Sequence, residues 1–102
     1  VTLHGTTVYL CHNRAVVNAY AGANLKSGDI LSIDKSKNEV TGKEWWQTHE
    51  IEAEGGWNYW EARGTGWTET TEVDNYKNAT RVCLRRSGAL QCANWWFADQ
   101  DW

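Results

Sequence analysis

The residues best suited to chemistry are Trp57 and Tyr59, set among Glu50, Glu52, Glu54 and Glu61. Aromatic rings stack on the CH faces of sugars and take up peptide side chains, while carboxylates accept hydrogen bonds from hydroxyls and pair with Lys or Arg. Glu52, Glu54 and Glu61 also have the chemistry of an acid and a base for glycoside cleavage. That reaction needs a cleft, and a flat hairpin face in a chain of 102 residues offers none. His4, His12 and His49 could serve as bases, but none lies in a nucleophile motif. Arg86-Ser-Gly-Ala89 lacks the two-glycine frame of a nucleophile elbow. The pattern points to binding without catalysis. Trp45 and Trp46 are adjacent, so on a strand they face opposite sides, and one of the two extends the same surface.

Strands must position these residues. Thr6–Cys11, Ile30–Ile33, His49–Glu54, Trp57–Arg63, Thr68–Val73, Arg81–Arg86 and Ala89–Trp95 are short, rich in β-branched or aromatic residues, and bounded by Gly, Asn, Asp or Ser. No segment keeps a 3.6-residue apolar period over three turns, so little helix is expected. Residues 34–43 read as a polar loop. A two-residue turn at Gly55-Gly56 puts Ile51 opposite Trp60 and Glu54 opposite Trp57. One face of this hairpin then carries Ile51, Ala53, Trp60 and Ala62 and belongs to the core. The other carries Glu50, Glu52, Glu54, Trp57, Tyr59 and Glu61. A one-residue slip would bury four glutamates.

A second hairpin turns at Ser87-Gly88, which places Arg86 opposite Ala89 and Cys83 opposite Cys92. The cysteines fall on a non-hydrogen-bonded pair, where side chains approach most closely. That register favours a Cys83–Cys92 disulfide with Cys11 free. Pairings with Cys11, or three reduced thiols, are the alternatives. Metal binding is not expected: Cys11 and His12 are adjacent, so they point to opposite sides of a strand, and there is no Cys-x-x-Cys. No cofactor is indicated.

Leu25-Lys-Ser-Gly-Asp-Ile-Leu-Ser-Ile33, the aromatic run Trp57-Asn-Tyr-Trp60 and the strand entered through Gly64-Thr-Gly-Trp67 carry a further signal. Over residues 15–73 the chain resembles bacterial-type SH3 (SH3b-like) domains, which typically have a Leu-x-x-Gly-Asp-x-apolar strand, a Trp-containing strand and a Gly-Trp-apolar strand. Their usual Asn-Val-Arg-Ser/Ala-Gly-Pro segment is represented by Val17-Asn-Ala-Tyr-Ala-Gly22, without Arg or Pro. The resemblance implies an all-β domain over residues 1–102: a small SH3-like β-barrel with an added N-terminal strand and a C-terminal β-hairpin. It also implies recognition of a cell-wall polymer or peptide.

Composition narrows the partners. Eight tryptophans beside one Phe and no Met are more than one small core can hold, so some should be exposed and in contact with a ligand. Trp95-Trp96-Phe97 and Trp102 would dock on the domain itself or on a second subunit, which makes a homodimer conceivable. A net charge of −3 provides no basic footprint for nucleic acid. No apolar run approaches membrane-spanning length. A start at Val1 without an apolar leader, the disulfide geometry and the Asn78-Ala-Thr80 glycosylation sequon together fit a secreted protein. The expected function is non-catalytic recognition of an extracellular glycan, cell-wall polymer or cell-surface protein. The alternative is a small secreted defence, effector or immunomodulatory protein of fungal type.

Overall fold

Side chains that alternate between two faces set the architecture. The computed structural model describes residues 1–13, 18–37, 51–53, 61–74 and 78–96. Their regular elements are strands: β1 (Thr2–Leu3), β2 (Thr6–Asn13), β3 (Asn18–Leu25), β4 (Ile30–Lys35), β5 (Glu61–Arg63), β6 (Gly66–Glu69), β7 (Val73–Asp74), β8 (Thr80–Arg86) and β9 (Ala89–Cys92). One antiparallel sheet runs β1-β2-β3-β6, with β7 also on β3, and the other runs β5-β4-β8-β9. The all-β fold and the C-terminal β8–β9 hairpin are as the sequence predicts. The sheets pack on each other, and no ladder between them closes a barrel among the described residues.

The core lies between the two sheets. β4 and β8 turn Leu31, Ile33, Val82 and Leu84 inward, all buried. β3 meets them with Ala19, Ala21, Ala23 and Leu25, joined by Leu3, Val8 and Val73. Stacked sheets lie about 10 Å apart, so small methyl groups on one face leave room for branched side chains on the other. β3 is missing from the strands the sequence predicts. Asn18-Ala-Tyr-Ala-Gly-Ala-Asn-Leu25 lacks β-branched residues and is rich in types depleted in strands. Pairing with β2 on one side and with β6 and β7 on the other overrides that weak propensity.

Turn chemistry fixes the registers. Ser87 and Gly88 have φ of 53° and 80°, the left-handed pair that a type I′ hairpin needs. Arg86 therefore sits opposite Ala89 and Cys83 opposite Cys92, as expected, and the two cysteines form a disulfide across a Cα separation of 4.1 Å. Cys11 is free. Beyond β9, Trp95 and Trp96 dock on the domain itself, while Phe97 and Trp102 lie outside the described residues. Trp96 exchanges both backbone hydrogen bonds with Thr80 and its ring lies 4.1 Å from that of His12, while Trp95 lies under the Arg81 guanidinium.

The Lys26–Asp29 turn carries the chain from one sheet to the other. The Asp29 N–H donates to the Lys26 carbonyl, with Gly28 at φ 88°, the arrangement of a type II turn. The Asp29 carboxylate is only 2% exposed and accepts from the Lys26 N–H and twice from Arg86, at 3.0 and 2.7 Å. The same guanidinium donates to the His4 carbonyl and the Thr6 hydroxyl. One arginine on β8 thus ties the β1–β2 turn to the β3–β4 turn. Hydrogen bonding from Arg86 holds the Asp29 carboxyl down to about 2.

Candidate functional site

Five of the residues that the sequence marks for binding, Trp45, Trp46, Glu54, Trp57 and Tyr59, lie outside the described residues, as does the Gly55-Gly56 turn. Glu52 is exposed, and its carbonyl accepts from the Lys37 N–H. Glu61 pairs with Ser32 on β4, which directs it away from the core while Ala62, opposite Leu31, turns inward. For Glu61 and Ala62 that is the face assignment the sequence predicts, while Trp60, expected in the core, lies outside the described residues. Ala53 bridges Ser36 and lines a groove outside the second sheet with Ile30, Asp34, Glu61, Arg81 and Leu90, instead of joining the core cluster. The Asn78 side-chain N–H donates to the Ser36 carbonyl and hydroxyl at 3.0 and 3.2 Å, so a glycan on that nitrogen would displace at least one of these bonds.

Asp34, Cys83 and Cys92 bring a carboxylate and two sulfurs within 4.8 Å of one another. The sulfurs are joined to each other, and the carboxylate pairs with Arg81 at 3.1 Å. Disulfide sulfurs are not thiolate ligands.

A different aromatic and acidic surface lies on the outer face of the first sheet. Inward Val8, Ala21 and Ala23 leave Tyr9, Tyr20, Gly22, Trp67 and Glu69 on the opposite side of β2, β3 and β6. Tyr9 sits across from Gly22, and Gly22 across from Glu69. Trp67 is paired with Asn24, but its ring leans diagonally onto Gly22. A Cβ at position 22 would lie 2.6 Å from Trp67 Cζ2 and 2.8 Å from Cη2. Only glycine leaves space for the indole there, which is the strand pattern in which an aromatic covers a glycine.

The rings form a platform. Tyr9 and Trp67 are 52% and 50% exposed, with centroids 5.9 Å apart and planes tilted by 55°. The Trp67 indole N–H donates to Glu69 Oε2 at 3.2 Å, which fixes the ring edge and leaves the carboxylate at the margin. An indole resting on the sheet yet half exposed offers its outer side to solvent, the condition for stacking on a flat apolar ligand face.

Beside the platform, the chain from β6 to β7 bulges. Tyr20 and Ala21 of β3 face Thr70, Thr71 and Glu72, two residues against three. Thr70 anchors the bulge: its N–H donates to the Ala21 carbonyl, and its buried hydroxyl accepts from the Ala21 N–H and donates to the Thr71 carbonyl. An open groove of about 610 Å³ results, lined by His12, Asn13, Tyr20, Glu69, Thr70, Thr71 and Glu72. The Tyr20 phenol is pushed above its ordinary value, chiefly by Cys11 opposite it on β2, then by desolvation and by Glu69 and Glu72.

Against family models, curated proteins and solved structures, the chain finds no match. Its chemistry is therefore read from its own geometry. In the sequence Tyr9, Tyr20 and Glu69 belong to no binding motif, and Trp67 marks only a strand. Alternation in Thr7-Val-Tyr-Leu-Cys11 and Trp67-Thr-Glu69 carries the signal that these side chains share a face. What it lacks is β3, the strand that joins the two segments.

Proposed function

We propose that this protein is a secreted, non-catalytic binding module that recognises an extracellular glycan or cell-wall polymer through an aromatic and acidic sheet face. The observation that carries the reading is the Trp67 ring held over Gly22 beside Tyr9, with both aromatics half exposed. Large rings kept in water, fixed by a glycine floor and a carboxylate, are organised for contact and not for packing. The Glu69 carboxylate next to them can accept hydrogen bonds from ligand hydroxyls. The likeness of the Leu25–Ile33 and Gly66-Trp67 segments to SH3b-like domains, which commonly bind cell-wall polymers or peptides, points the same way.

The Cys83–Cys92 disulfide is compatible with an extracellular setting. No helix among the described residues is long and apolar enough to cross a membrane. A glycan array with the intact protein and Trp67→Ala tests the reading. Defined sugar binding that the substitution weakens by about thirtyfold supports it, since an exposed aromatic anchor contributes ~2 kcal/mol. A response of host or competitor cells without any sugar binding would instead favour a secreted effector or immunomodulatory role.

A further inference from the structure

We propose that the groove at the β6–β7 bulge is a second subsite of the same surface, selective for a positively charged amino sugar in the polymer that stacks on Tyr9 and Trp67. The proposal rests on the glycan reading above and adds the charge of the ligand. Its first support is continuity. Glu69 holds the Trp67 indole on one side and lines the groove on the other, so a chain lying on the platform runs directly into the groove. A polymer ligand needs such a neighbouring position, because one stacked ring alone binds weakly.

The second support is the lining. Its lining residues include Glu69, Glu72, Tyr20 and Asn13, and among the described residues neither Lys nor Arg joins them. Such a wall suits hydroxyls and an ammonium group and disfavours carboxylate, sulfate or phosphate groups by like-charge repulsion. The third support is construction. Thr70 buries its hydroxyl against Ala21 to hold the extra residue of the bulge, and bulges re-aim side chains beside functional sites. Here the bulge lies between Glu69 and Val73, and Glu69, Glu72 and Tyr20 all line the groove beside it.

The test compares a short glucosamine oligomer with its fully N-acetylated counterpart. Each is titrated into the intact protein and followed by tryptophan fluorescence in mildly acidic, low-salt buffer, where amines are protonated and carboxylates ionised. The basic oligomer should bind about two- to fivefold more tightly, the size of effect that partly exposed charge pairs produce. Added salt should erase the preference. Exposed Glu72→Gln should erase it, bringing the basic oligomer's affinity down to that of the neutral one, and Glu72→Lys should reverse it. Equal affinity for the two oligomers, or a preference that survives both Glu72 variants, overturns the subsite while leaving the platform standing. If neither oligomer binds, the glycan reading itself fails. If polylysine binds in a Glu72-dependent manner and both sugars do not, the groove takes a basic peptide and the amino-sugar assignment is overturned.

Discussion

Gly22→Ala is the sharpest probe of the platform, because the missing methyl is what lets Trp67 lie where it does. The added Cβ would stand 2.6 and 2.8 Å from two indole carbons, well inside van der Waals contact. One of the groups must move, and the one free to move is the half-exposed ring. Swinging it out breaks the Nε1–Glu69 hydrogen bond and the edge contact with Tyr9. The backbone tolerates alanine, since Gly22 is not among the residues with positive φ. Gly in a strand interior is itself unfavourable by roughly 0.5–1 kcal/mol relative to Ala. That gain offsets much of the lost ring contact, so stability should change by no more than about 1 kcal/mol, the centre of the range for single substitutions. Ligand affinity should fall by about thirtyfold, the loss of one aromatic anchor of ~2 kcal/mol. Denaturant melts read the first quantity and fluorescence titration the second, and the indole N–H resonance of Trp67 reports whether the ring has moved. A folded variant with a displaced ring and undiminished affinity would refute the platform as the site. A variant that unfolds would show that Trp67 on Gly22 is structural.

The Asp29–Arg86 clamp predicts an acid limb in stability. Because the folded carboxyl is held near 2 and the unfolded one titrates at about 3.9, the pair stabilises fully above about pH 4 and is lost as pH falls through about 2. Asp29→Asn should cost about 3 kcal/mol at neutral pH, the lower end for breaking a buried pair, and should converge with wild type near the acid limit. Parallel melting curves at all pH values would disprove the linkage. Non-reducing peptide mapping should recover Cys83 linked to Cys92 with Cys11 alkylated, and reduction should lower stability by ~2–3 kcal/mol on the chain-entropy estimate. A peptide linking Cys11 to either partner would contradict the hairpin register.

The parts of the fold that can be read from sequence are those decided locally. Ser87-Gly88 demands left-handed conformations at two successive positions, so the hairpin register and the Cys83–Cys92 pairing follow from turn chemistry alone. The strands around Val8, Leu31 and Val82 follow from alternation of apolar residues. What is not legible depends on partners distant in the chain. Thr68–Val73 reads as one strand, yet the hydroxyl of Thr70 on Ala21 inserts an extra residue and divides it. Arg86 stands beside Arg85 at a hairpin turn, with no partner near it in sequence. Only the convergence of Asp29, His4 and Thr6 makes it a tie between two turns.

The hidden strand and the candidate site have one cause. A strand built from Val and Ile would be visible in the sequence, but it could not be β3. Its inward positions must be small to receive Leu31, Ile33 and Leu84 from the facing sheet, which selects Ala19, Ala21 and Ala23. At one outward position it must carry no side chain at all, which selects Gly22 beneath Trp67. The residues that depress its strand propensity are therefore those that let two sheets close over a core and an indole settle on the outer face. Tertiary pairing on both edges supplies the order that propensity does not. The consequence is asymmetric for mutation. Enlarging Ala21 should disturb the core and the whole fold by overpacking, whereas enlarging Gly22 should disturb only what rests on the sheet. If the two substitutions proved equally destabilising, the outer face would be part of the packing, and the exposed rings would lose their claim to a ligand.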